Sequence, residues 1–188
     1  ALHAMPFESH KALWATLDVG YFMRHDAGDI AWHTRQLSRH IDQRKPDEPR
    51  TAIVRARLSP VGEGMQVLVY TPDQPDLFAR ICGYFDQAGF SILDAKVHTA
   101  SDGHAPDTFH VVTAALPEHY RELISMVEPN LAITIDQAGP LPPPSRGRVS
   151  RRVKSFPIAP RIDLRPDDKA QRWLLSISAS DRVGLLYS

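Results

Sequence analysis

The sequence predicts an α+β protein, and three observations carry that prediction. Apolar residues recur at helical spacing in some stretches and alternate strictly in others. Proline or glycine separates most of these blocks.

The first block is helical. Leu13 and Leu17 lie one turn apart, and Gly20 is placed to end that helix. Asp26 has the place of an N-cap, with Asp29 in the first turn near the positive end of the helix dipole. Ile30, Leu37 and Ile41 then define one helix face, which Pro46 and Pro49 bring to a stop. Alternation follows. Val54, Ala56 and Leu58 alternate with Arg55 and Arg57, Gly62-Glu63-Gly64 turns the chain, and Met65, Val67 and Val69 alternate again. Residues 51–71 therefore read as a β-hairpin. Pro75 suits the first turn of a helix whose face carries Leu77, Ile81 and Phe85. Phe78 and Cys82 lie beside that face, and Gly89 is its C-terminal stop. Leu93, Ala95, Val97 and Thr99 give another strand, Ser101-Asp102-Gly103 turns, and Phe109, Val111 and Thr113 give the next. Tyr120, Leu123, Ile124 and Val127 give a further helix.

The order β-α-β-β-α opens a ferredoxin-like unit and lacks only a final strand. Two stretches compete for that place. Ala132-Ile133-Thr134-Ile135 is β-branched, while 156–164 offers Ile158, Ile162 and Leu164. The second is the expectation, with 130–137 continuing as helix despite Pro129. After Pro166 a new strand, 173–178, leads into Asp181-Arg182-Val183-Gly184-Leu185-Leu186.

Composition bounds the class. The chain has 188 residues, 43% hydrophobic and 23% charged, which suits one or two small globular domains and excludes wholesale disorder. No stretch approaches the ~18 uncharged apolar residues of a membrane span. The first residues lack the pattern of a signal peptide. Cys82 is the single cysteine, which excludes an internal disulfide and a multi-cysteine metal site; a reducing, cytoplasmic compartment is the expectation. Twenty-two basic and 22 acidic residues balance to zero, but unevenly. Residues 1–62 carry +2, residues 63–136 carry −8 and residues 137–188 carry +6. Seven of the 16 prolines fall between Pro140 and Pro166, so that segment reads as an extended linker or surface loop. Arg146 to Lys154 are expected to cross or dock near the acidic surface of 63–136.

An internal repeat links two places. Strand 65–71 leads into Asp73-Gln74-Pro75-Asp76-Leu77-Phe78, and strand 173–178 leads into Asp181-Arg182-Val183-Gly184-Leu185-Leu186. Each loop would aim a helix N-terminus at one spot, suited to a carboxylate or other anion. Both also read as ordinary strand-to-helix turns, with Asp181 a cap.

The second loop resembles that of ACT domains, small βαββαβ modules that bind amino acids between copies. A longer ordered set resembles the C-terminal part of the PII uridylyltransferase/uridylyl-removing enzymes. It comprises Tyr21-Phe22-Met23-Arg24-His25-Asp26, Ile30-Ala31-Trp32-His33-Thr34, Asp73-Gln74-Pro75, Asp94-Ala95, Asp102-Gly103, Asp107-Thr108-Phe109, and Asp181-Arg182 with Gly184-Leu185-Leu186. The resemblance implies three parts. Residues 1–50 would end the helical region before an ACT pair. Residues 51–166 would be the first ferredoxin-like βαββαβ ACT domain, with its β-hairpin strand and a Pro/Arg-rich loop at 139–155. Residues 167–188 would open a second, truncated ACT domain.

It also implies a role. Enzymes of that family sense glutamine, transfer UMP to the PII signalling protein when glutamine is low, and remove it by hydrolysis when glutamine is high. The glutamine residues implied here are Asp181, Arg182, Gly184 and Leu185, with Asp73, Gln74 and Asp76 secondary. Asp76 stands where many ACT loops have glycine, and Val183 where proline is usual. A neighbouring ACT domain or a second copy would complete the site. Mg²⁺ is implied for the parent enzyme only, because this chain lacks a Gly-Ser followed by paired Asp to hold it. No catalytic residue is recognised in the chain itself.

Other readings compete. His25-Asp26 spells a metal-binding dipeptide, but Asp26 is better placed as a cap and His33 as a helix residue. Cys82 reads as core packing. A stand-alone ACT-like dimerisation module is the alternative function. Arg146, Arg148, Arg151, Arg152 and Lys154 lack the aromatic platform of a nucleic-acid site, so neither nucleic acid nor membrane is expected as a partner.

Overall fold

The computed structural model describes residues 10–42, 49–98, 103–114, 117–144, 159–167 and 172–179. Three helices come first: α1 (Lys11–Trp14), α2 (Val19–Arg24) and α3 (Ala27–Asp42). Gly20 does not end a helix; it lies in the first turn of α2. The boundary is set instead by Asp18, whose carboxylate accepts the Tyr21 N–H at 2.8 Å and so caps α2. Asp26 does the same for α3, accepting the Asp29 N–H at 2.8 Å.

The central unit contains β1 (Ile53–Leu58), β2 (Met65–Pro72), α4 (Leu77–Gln87), β3 (Ser91–Lys96), β4 (His104–Val112) and α5 (Tyr120–Gln137). A 3-10 turn, Pro117–His119, precedes α5. The four strands form one antiparallel sheet in the order β1-β2-β4-β3. That is the order of a ferredoxin-like sheet whose last strand has been moved to the front of the chain.

The expected final strand is therefore corrected. The strand in that region, β5 (Arg161–Asp167), pairs with β6 (Arg172–Ser178) in a separate two-stranded sheet. The edge beside β2 is taken by β1, which reaches it through a short local turn. A segment beyond the Pro-rich stretch would have to close a far longer loop to compete. Two α5 carboxylates hold β1 in place. Asp136 Oδ1 accepts the Ala52 N–H and Glu128 Oε1 accepts the Ala56 N–H, each at 2.7 Å. Residues 130–137 are helical as expected, because the burial of Leu131 and Ile135 outweighs the strand preference of Ile133-Thr134-Ile135.

The sheet is covered on both faces. On one, Val54, Met65, Val67, Val69, Phe109 and Val111 pack against Leu77, Ile81 and Phe85 of α4 and Val127, Leu131 and Ile135 of α5. On the other, Leu68 and Tyr70 pack against Leu13, Trp32 and Leu37 of the leading helices. Arg57 spans this second face, its guanidinium 4.3 Å over the Trp32 ring and 2.6 Å from Asp29. Helix α4 ends in a Schellman motif. Gly89 has φ 78°, the Phe90 N–H reaches the Phe85 carbonyl at 2.8 Å, and the two phenylalanine rings meet edge to face. Cys82 is buried on α4, and burial pushes its thiol up to about 12.

Two smaller expectations are also revised. Pro75 precedes α4 rather than opening it, because Asp76 adopts a left-handed conformation and the helix starts at Leu77. In β3, a register shift between Ile92 and Asp94 turns Ile92 and Ala95 toward the core and leaves Leu93 exposed. No helix among the described residues is long and apolar enough to cross a membrane.

Candidate functional site

The corner between β2 and α4 contains three of the residues singled out in the sequence: Asp73, Gln74 and Asp76. It is pinned at both ends. The Asp73 N–H donates to the Gly103 carbonyl at 2.8 Å, tying the loop to the turn before β4. Gln74 Nε2 donates to the Ile135 carbonyl at 3.4 Å, tying it to the end of α5. Asp76 takes φ 61° and ψ 17°, the left-handed region where glycine costs least. Its side chain makes no capping bond, while its carbonyl accepts the Arg80 N–H at 2.8 Å. Buried Arg80 in turn donates through Nη1 to the Gly139 carbonyl, just past α5.

The chemistry of this corner is two-signed. The N-terminus of an 11-residue helix favours a carboxylate. Asp73 and Asp76 favour an ammonium group.

Asp107 adds a buried carboxyl. It lies on β4 opposite Val69, at the same parity as core residues Phe109 and Val111, and is 1% exposed. Burial pushes it up to about 7. The His98 N–H, donated to Oδ1 at 3.0 Å, pulls in the opposite direction, and the charge of Asp73 raises it further.

Beyond His98 lies a cluster of rings. His98 Nε2 is 3.2 Å from His25 Nε2. The Tyr21 hydroxyl is 2.6 Å from His33 Nδ1, and the Tyr21 ring meets those of His25 and His98 at 4.7 and 5.4 Å between centroids. Asp29 Oδ2 is 3.9 Å from His25 Nδ1. Burial, with neighbouring cations, lowers His25 to about 4 and His33 to about 3. Both imidazoles are therefore neutral at pH 7. His33 is a packed helix residue.

A separate open cleft of about 100 Å³ lies where the end of α3 meets the hairpin, with His40, Arg50, Tyr70 and His104 on its walls. It does not include the corner residues. Among the described residues no group of three or more His, Cys, Asp or Glu is arranged to hold a metal ion. Asp181, Arg182, Gly184 and Leu185 lie outside the described residues, as does the Arg146 to Lys154 segment. The structure therefore gathers Asp73, Gln74 and Asp76 and leaves the second loop unplaced. His98 carries no local signal of a site role in the sequence. Asp107 does carry one, an aspartate at the core parity of an alternating strand, which the run Asp107-Thr108-Phe109 alone leaves without an assigned role.

Comparison with known proteins gives consistent matches. A family model described as "Uridylyltransferase GlnD fifth domain" matches residues 1–36. A bifunctional uridylyltransferase/uridylyl-removing enzyme of Ralstonia nicotianae is 56% identical over 191 residues, covering 100% of this chain and 22% of the relative. Enzymes of the same description from Burkholderia vietnamiensis and Burkholderia lata are each 52% identical over 187 residues, covering 100% of this chain and 21% of the relative. The chain thus spans about a fifth of the length of the curated relatives it matches. No solved structure matches.

Proposed function

The chain corresponds over its full length to a region of the bifunctional uridylyltransferase/uridylyl-removing enzymes, and on that premise we propose that it is a glutamine-sensing regulatory region. The observation that carries this reading is the 56% identity across the whole chain. In this reading the central unit is an ACT domain that uses β1 as its edge strand. The β5–β6 hairpin then opens a second such unit, with β5 in the place of β1. The repeat supports this, since β2 leads into Asp73 and Asp76 as β6 leads toward Asp181 and Gly184.

The corner suits an amino acid. A zwitterion would set its carboxylate at the N-terminus of α4 and its ammonium toward Asp73 and Asp76. Glutamine bound there and at the equivalent second loop would bias the parent enzyme from UMP transfer to the PII protein toward UMP removal. Such bias requires about 1–3 kcal/mol of coupling between the sites. Catalysis and its Mg²⁺ belong to other parts of the cytoplasmic enzyme, and a neighbouring ACT domain or a second copy would complete the binding site.

Calorimetric titration of L-glutamine into the full-length enzyme is the test. Heat at millimolar glutamine, reduced by Asp73→Ala and absent with D-glutamine, is the expected result. No heat and no shift in melting temperature at millimolar glutamine would refute the ligand assignment.

A further inference from the structure

The β2–α4 corner and the leading helices lie against different faces of the sheet, yet polar interactions lead from one to the other. We propose that Asp107 and His98 form the joint through which occupation of the corner reaches α2 and α3. This inference rests on the reading of the corner as an amino-acid site.

Contacts run from Asp107 to the leading helices, and the corner acts on Asp107 through the charge of Asp73. Asp73, whose backbone is bonded to Gly103, is close enough for its charge to act on Asp107. Asp107 Oδ1 holds the His98 N–H at 3.0 Å, just past the end of β3. The His98 ring sets its Nε2 3.2 Å from His25 Nε2. His25 is the C-cap of α2 and precedes Asp26, the cap of α3. Its ring packs on Tyr21 and His33, which join α2 to α3 by their own hydrogen bond. One carboxyl and one imidazole thus connect the corner to the junction of two helices.

The joint has two states. With the corner empty, Asp73 and burial favour a proton on Asp107, and a neutral carboxyl is the weaker acceptor for the His98 N–H. A bound ammonium offsets the Asp73 charge and favours the carboxylate. The charge-assisted bond then tightens, and His98 is held against His25. The balance is simple: one proton leaves the Asp107 carboxyl for the buffer when the ligand binds. An effector can shift a two-state element only by such differential interaction.

The test uses the full-length enzyme. Glutamine titrations in buffers of different ionisation enthalpy should show fractional proton release near pH 7, lost in Asp107→Asn. His98→Ala keeps the backbone N–H and removes the ring. It should bind glutamine within about threefold of wild type, while the effect of glutamine on UMP transfer falls below about twofold. As a ligand-free check, imidazole nitrogen shifts of His25 should change in Asp107→Asn. Glutamine binding with intact coupling in His98→Ala, or with unchanged proton release in Asp107→Asn, would overturn the joint alone. Absence of glutamine binding to the wild-type enzyme would overturn the reading of the corner, and this inference with it.

Discussion

The Tyr21 hydroxyl and His33 Nδ1 share a 2.6 Å hydrogen bond between α2 and α3, with both side chains buried. Burial raises the phenol and lowers the imidazole, so both groups are neutral at pH 7 and share one proton between oxygen and Nδ1, the donor being set by the imidazole tautomer. Tyr21→Phe keeps the ring and leaves His33 Nδ1 buried and unpaired. The expected cost is roughly 1–3 kcal/mol, read from the urea midpoint. A change below about 0.5 kcal/mol would mean that the helix junction does not depend on this bond.

The same cluster sets the response to acid. His25 and His33 titrate at about 4 and about 3 in the folded chain, against about 6.5 for an unfolded histidine. Below pH 6.5 the unfolded chain therefore takes up protons that the folded chain refuses. Histidine-linked stability is whole above pH 6.5 and is lost progressively as pH falls toward 4 and 3. Asp107 acts in the opposite sense. Its folded value of about 7 lies above its unfolded one, so the folded state holds the extra proton between about pH 4 and 7. Wild-type stability should fall from pH 7 to pH 4.5 with the two histidines outweighing the one carboxyl. Asp107→Asn removes the opposing contribution and should steepen the fall. Denaturant midpoints across that range check both, and a shallower slope in the variant would contradict the assignment.

What the sequence made legible was set by local rules. Capping by Asp26, the stop at Gly89 and the hairpin at 51–71 each depend on residues a few positions apart, and each stands in the structure. Gly20 misled because a glycine suits a helix end, whereas the nearby Asp18 carboxylate fixed a helix start. The strand at 161–167 misled for a different reason. Its pattern was right, but pattern alone does not choose among sheet edges. That choice rested on loop length and on two carboxylates of α5, 72 and 84 residues from their partners. Asp73, Gln74 and Asp76 were legible as a loop, and the left-handed turn at Asp76 fits a place where glycine is common. The contact of His98 with His25 spans 73 residues and carries no local signal.

Gly64 shows how little freedom the hairpin allows. Its φ is 94°, and a Cβ there would stand 2.3 Å from the Val111 carbonyl oxygen and 2.7 Å from the Val112 side chain. The first contact is backbone in β4, which cannot move without breaking the ladder to β2. Gly64→Ala should cost roughly 2–4 kcal/mol from backbone strain and steric overlap together. Gly62, in the same turn, meets nothing within 4 Å, so Gly62→Ala bears only the backbone penalty of its φ of 137°. Thermal melts of the two variants should separate clearly; equal melting temperatures would rule out the steric part.

The exposed side of β1 gives the last prediction. An edge strand presents free N–H groups to any chain able to pair with it. Here the amides of Ala52 and Ala56 are taken by Asp136 and Glu128 of α5 in short, charge-assisted bonds. Those two carboxylates do more than stabilise the packing of α5. They occupy positions that another strand would need in order to extend the sheet. Glu128→Ala with Asp136→Ala should destabilise the unit by roughly 2–5 kcal/mol, since two donors lose their acceptors. It should also open the edge, giving association that rises with concentration in sedimentation velocity. Glu128→Gln with Asp136→Asn keeps the acceptors without the charge. That variant should lose less stability and sediment as the wild type does. If the alanine pair also sediments as the wild type does, the carboxylates are not what guards the edge.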